Sequence, residues 1–325
     1  MKQLVLVGVL LALGLSDADA ATRPQVAWVK LATPHTPPAR GAMAMAFDPV
    51  SNTVLMFGGF GAGHLNDTWR FDGKDWTQLT PATSPPPRAA AAIAYDAPSG
   101  KLILFGGYDG TRWLGDSWAW DGASGSWTRL TSAHSPLAVS GAAMFSDPFD
   151  GHAILFGGTS GKLLGGYTRQ SLKWNGSDWV HTGSQAPTAR AAMAAALDPD
   201  AGSALVFGGL GNVFPYGTWV WNGVRWKNLS PVVSPPLTSE GAAAYDQALG
   251  MIVVFGGFDS SKPSSAWGWN PVKQTWRALQ QSPHPSNRTS PGMCFDPAIG
   301  HAVLFGGYGT AKAGGVLNDT WVLQP

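Results

Sequence analysis

The chain has 325 residues, a formal net charge of +1 and 13% charged residues. No basic stripe runs through it, which argues against nucleic acid or an anionic membrane surface as a partner. Cys294 is the only cysteine, so an intrachain disulfide framework is excluded.

The N-terminus reads as a leader rather than as part of the fold. Lys2 gives a positive start, Leu4 to Leu15 is apolar, and Ala18-Asp19-Ala20 supplies an A-x-A pattern before Ala21. That is the layout of a cleaved secretory signal peptide, and the apolar stretch is too short to span a bilayer. The expectation is a signal peptide over 1–20 and a single mature domain over 21–325, secreted or periplasmic, without membrane insertion. Removing the leader takes away Lys2, Asp17 and Asp19 and raises the formal net charge to +2.

Beyond the leader the chain is periodic. A short apolar run ending in Phe and two glycines recurs six times, at Gly58-Gly59, Gly106-Gly107, Gly157-Gly158, Gly208-Gly209, Gly256-Gly257 and Gly306-Gly307. Residues 40–80 serve as the template. Gly41 to Phe47 is a strand ended by Asp48-Pro49, and Asn52 to Phe57 is an apolar strand ended by the glycines. Trp69 and Phe71, two apart, mark one face of a third strand, Asp72-Gly73 is a hairpin turn, and Trp76 opens a fourth strand. Four antiparallel strands make one propeller blade. The spacing of three between Trp76 and Leu79 would put them on opposite faces of a flat strand; twist or a bulge is one way to bring them together.

The third-strand aromatics repeat as Trp118/Trp120, Trp219/Trp221 and Trp267/Trp269, and fourth strands open at Trp127, Trp179, Trp226 and Trp276. The sixth unit ends after its third strand, whereas Trp28-Val29-Lys30-Leu31 matches a fourth strand with nothing before it. The N-terminal strand is therefore expected to complete the last blade and close the ring.

The Gly-Gly pairs, the later aromatics and the tryptophan opening the fourth strand make residues 28–325 resemble the kelch-repeat family. Steps of 48, 51, 51, 48 and 50 residues between first glycines fit that family's period near 50 better than the roughly 40–45 of WD40 blades. The resemblance implies an all-β six-bladed kelch β-propeller. Relatives of this kind include copper oxidases such as galactose oxidase, exported six-bladed sialic acid epimerases and secreted binding proteins. The oxidases' cysteine–tyrosine cross-link and histidine ligands have no counterpart set around Cys294, and the seven histidines show no ligand spacing, so no metal or cofactor is expected.

Candidate site residues are few. Arg40, Arg88, Arg190 and Arg288 each stand eight residues before the Asp ending an inner strand, which suggests a collar of guanidinium groups at one channel mouth. The alternative is a structural role, bonding to loop backbone. Glu240, the only glutamate, falls where other repeats have alanine, and is either an anchor, a general base or a salt-bridged substitution. Trp113, Tyr167 and Tyr216 are aromatics of the variable loops, suited to stacking on a ligand. The reading is an exported, monomeric, non-enzymatic binding module that recognises a glycan or protein through its loop face. The alternative is an enzyme resembling the sialic acid epimerases, using Glu240 and the arginines on an acidic sugar.

Overall fold

The computed structural model describes residues 25–324 apart from 162–165, 184, 213–216, 237, 259–265 and 310–314. The leader 1–20 and Tyr216 lie outside the described residues.

Six antiparallel sheets form the blades. The first contains Ala44–Asp48, Thr53–Phe60, His64–Phe71 and Trp76–Leu79 in that order, and the next four repeat this simple up-and-down order. The sixth is assembled from both ends of the chain. Gln25–Leu31 lies antiparallel to Val316–Gln324, with Trp28 opposite Leu323 and Leu31 opposite Thr320. The ring is thus closed by the N-terminal strand, as the repeat pattern requires. A two-residue strand, Gln280–Gln281, adds in parallel to the outside of Gln25–Leu31.

The hydrophobic core is divided among the gaps between blades. Each gap holds the fourth-strand tryptophan of one blade against the Phe before Gly-Gly in the preceding blade, as with Trp76 on Phe305 and Trp127 on Phe57, ring centres 5.1 and 5.2 Å apart. Phe71 joins Trp76 in the first gap and Trp120 joins Trp127 in the second, so the period-two face of the third strand points toward the preceding blade. Leu79 packs in the gap on the other side of its blade from Trp76. Leu130 and Leu229 are likewise split from Trp127 and Trp226. The spacing of three therefore needs neither twist nor bulge, because a strand buried on both faces uses both.

A second contact crosses each gap. Indole Nε1 donates to a buried hydroxyl of the preceding blade in Trp76–Thr320, Trp127–Thr68, Trp179–Ser117, Trp226–Ser171 and Trp276–Thr218. The fifth blade has Ala266 at the hydroxyl position, and Trp28 donates instead to Gln281 Oε1 at 3.0 Å. The extra strand thus supplies the acceptor that the repeat lost.

The Gly-Gly pair has a tertiary cause. Gly58 and Gly59 have φ of 62° and 102°, and the Gly59 N–H donates to the Arg88 carbonyl of the next blade at 2.9 Å. A Cβ on Gly58 would sit 2.7 Å from that same oxygen. Any side chain there would push the blades apart. Equivalent bonds from Gly107, Gly158, Gly209, Gly257 and Gly307 complete a circuit around the ring.

Candidate functional site

The four arginines do not form an open collar. Arg40, Arg88, Arg190 and Arg288 are 0–1% exposed. Arg88 illustrates why: Nη1 and Nη2 grip both oxygens of Asp116 at 2.7 and 2.9 Å, Nη1 also reaches the Gly106 carbonyl, and Nε donates to the Pro86 carbonyl. Arg40 holds Asp67 and Arg288 holds Asp319 in the same way. Asp67, Asp116 and Asp319 also accept from Trp69, Trp118 and Trp321 Nε1. Burial raises these three carboxyl groups, but the bonds from arginine and indole more than reverse it and hold them below the usual carboxylate range. The guanidinium groups are thus turned inward, tying each incoming link to its own blade.

The other repeats vary the same pair. Where Val139 replaces the arginine, Gln170 replaces the aspartate and its Nε2 approaches the Gly157 carbonyl. Arg190 keeps the bonds to the Gly208 and Thr188 carbonyls, with Gly217 at the aspartate position. Its burial lowers the guanidinium pKa to about 10.

The loop-face mouth of the central channel is built from backbone. Ala42, Ala90, Gly141, Ala192, Glu240 and Ser290 occupy one repeat position, and all six have φ between 50° and 63°. In that left-handed conformation each donates its N–H to the carbonyl of its counterpart in the preceding blade. The six bonds, 2.7–2.9 Å long, close into a ring around the axis. A non-glycine residue at positive φ costs about 1 kcal/mol or more, and the inter-blade bonds offset it.

Glu240 is the one charged member of this ring. Its carboxylate is half-buried and accepts from Ser290 Oγ at 3.0 Å. Among the described residues no cation lies within ion-pair distance of it, contrary to the expected arginine neighbours, since those face the blade interiors. Tyr308 stands close by, its phenol pushed up to about 12 by burial and by the Glu240 charge.

Outside this ring lies a collar that the sequence reading overlooked. The residues directly after each Gly-Gly are Phe60, Tyr108, Thr159, Leu210, Phe258 and Tyr308, and each bridges the residue just before a ring member. Phe60, Leu210 and Phe258 are 40%, 43% and 66% exposed. The signal was available: five of six repeats place a large apolar or aromatic residue after a glycine pair that ends a buried strand. His64 fills the space between Phe60 and Tyr108, with ring centres 4.9 and 5.8 Å away.

Of the loop aromatics, Trp113 packs on Tyr108, ring centres 5.0 Å apart, and covers Gly161 of the next blade. It also lines an open groove of about 390 Å³ with Arg112, Asp116 and Arg129. Tyr167 is half-buried and bridges Thr159. The structure thus brings Glu240 near the tyrosine of one collar position and sets Trp113 beside another, while the arginines stay apart. One carboxylate, a serine hydroxyl and a high-pKa phenol can bind and orient a ligand. The acid-sugar alternative loses its guanidinium groups.

Comparison with curated proteins gives no match. The family described as the KLHDC2/KLHL20/DRC7 Kelch-repeats domain matches residues 21–209, from the closing strand to the glycine pair of the fourth blade. Together with the six blades, the glycine circuit and the closing strand, this match over more than half of the sequence shows that the chain belongs to the kelch-repeat family.

Proposed function

We propose that this propeller is an exported binding module that receives a projecting segment of a protein partner on its loop face. Kelch propellers are typically binding modules and commonly take proteins. The observation that carries the reading is the collar: apolar and aromatic side chains left exposed at one repeat position, on a rigid frame, around a backbone ring whose charged member is Glu240. Exposed aromatics on a fixed scaffold are the usual anchors of recognition. Export is supported by the leader layout at 1–20, and the N-terminus of protein recovered outside the cytoplasm should be at or near Ala21.

The test is a screen of residues 21–325 against a peptide library and a glycan array, repeated with Phe258→Ala and Leu210→Ala. Peptide binding that weakens about tenfold or more in either variant, with an unchanged melting temperature, is expected. Binding of glycans alone would replace the protein partner with a carbohydrate. Peptide binding indifferent to both substitutions would remove the loop face as the site.

A further inference from the structure

The opposite mouth of the channel has a different composition. Each inner strand ends in the same two-residue pattern, and the position before the terminal Asp is Phe47, Tyr95, Ser146, Leu197, Tyr245 and Phe295 around the ring. These side chains line a solvent-open cavity of about 240 Å³, floored by Met45, Ile93, Met144 and Met293. Tyr245 is fixed as a wall, its hydroxyl donating to Asp200 Oδ2 and its ring set edge-on to Phe295 at 5.7 Å. The thioethers below supply polarisable contact surface of the kind that suits an alkyl group.

Behind this aromatic wall stands a ring of carboxylates. Asp48, Asp96, Asp147, Asp198, Asp246 and Asp296 are all 0–2% exposed. Lys173 pairs with Asp147, His152 with Asp96, and His301 lies 3.8 Å from Asp246. Asp48, Asp198 and Asp296 have no cationic partner among the described residues; they accept from turn N–H groups and, at Asp48, from the Ser51 hydroxyl. Burial raises the Asp198 and Asp296 carboxyl groups, and the charges of Asp48 and Asp198 act on the mouth tyrosines. Burial and then the charges of Asp48 and Asp96 raise the Tyr95 phenol, while burial, the bond to Asp200, and the charges of Asp198, Asp200 and Asp246 raise Tyr245.

Aromatic rings, a methionine floor and surplus negative charge together favour a cation that carries its own apolar surface. Such a cation is drawn by rings and field while burying its alkyl groups, whereas a bare ion must also shed a costly hydration shell and a neutral group gains nothing from the field. We propose that the turn-face mouth is a binding site for a small alkylammonium group, such as a quaternary amine. This site lies at the other end of the channel from the loop-face collar and does not depend on it.

The experiment is calorimetric titration of residues 21–325 with choline and with its neutral carbon isostere. Choline is expected to bind, and the isostere to bind at least about fivefold more weakly. Tyr95→Leu and Phe295→Leu keep apolar volume while removing a ring, and each should weaken choline about fivefold with an unchanged melting temperature. Asp200→Asn, at an exposed position, keeps an oxygen to accept from the Tyr245 hydroxyl but removes the charge, and should weaken choline more than the isostere. Phe258→Ala, on the other face, should change neither. Equal binding of choline and isostere, no choline binding at all, or indifference to both leucine variants would overturn the proposal. Sensitivity to Phe258→Ala would place any choline site at the loop face and overturn it too.

Discussion

Arg88 shows how a residue with the chemistry of a ligand contact becomes a structural strut. Its fork matches the Asp116 carboxylate in both directions, and burial leaves no face of the guanidinium for another anion. Breaking a buried pair by removing one partner leaves an uncompensated charge, at a cost of about 3–5 kcal/mol. Arg88→Ala should therefore lower stability by that order in urea denaturation. The third blade already carries a neutral solution, Val139 with Gln170. The double variant Arg88→Val with Asp116→Gln should recover at least half of the loss. A double variant as unstable as the single one would show that the repeats are not interchangeable at this position.

At the scale of the element, the closing strand has a heavier duty than the other fourth strands. It completes the sixth blade, carries Trp28, which is fully buried against Phe255, and holds the extra strand through Gln281. Truncating a buried aromatic costs about 3–5 kcal/mol, whereas a lost neutral hydrogen bond costs about 1 kcal/mol. Trp28→Ala should therefore destabilise several times more than Gln281→Ala in the same denaturation assay. Near-equal effects would mean that closure rests on backbone pairing alone. Deleting 25–31 should expose the Val316–Gln324 edge and give aggregation in size-exclusion chromatography.

For the whole molecule, the recurring Arg–Asp pairs make acid stability a collective property. The bonds from arginine and indole hold the folded-state Asp67, Asp116 and Asp319 carboxyl groups below the usual carboxylate range. A group whose folded pKa is depressed contributes stability that is present above its unfolded pKa, about 4, and is lost as pH falls through the folded value. Melting temperature should hold steady from pH 7 to about 5 and then fall below about 4. Replacing Arg88 and Asp116 together by Val and Gln should make that acid fall shallower. An unchanged acid limb would mean that the pairs do not govern it.

The six-fold period, the blade count, the strand order and the closure were all legible in the sequence, because each repeats a local pattern: alternation, turn glycines, and a tryptophan at a fixed distance. Export was legible only as an expectation from the leader. Direction and availability of side chains were not legible. The arginines recur like a designed collar, yet in three of the four blades a carboxylate about 27–31 residues further on turns them inward, and backbone carbonyls hold Arg190. Trp76 and Leu79 looked mismatched because one blade's strand serves two gaps. The left-handed ring at Ala42 and its counterparts needs six strands brought to one axis before its bonds exist. The collar after the glycine pairs was present in the letters, but its exposure was not, since a Phe before the glycines is buried while a Phe after them faces solvent. The sequence alone thus determines what each blade is, through contacts near in the chain. Only the closed ring decides which groups remain free to meet a ligand, because that depends on the carbonyls, carboxylates and rings contributed by neighbouring blades.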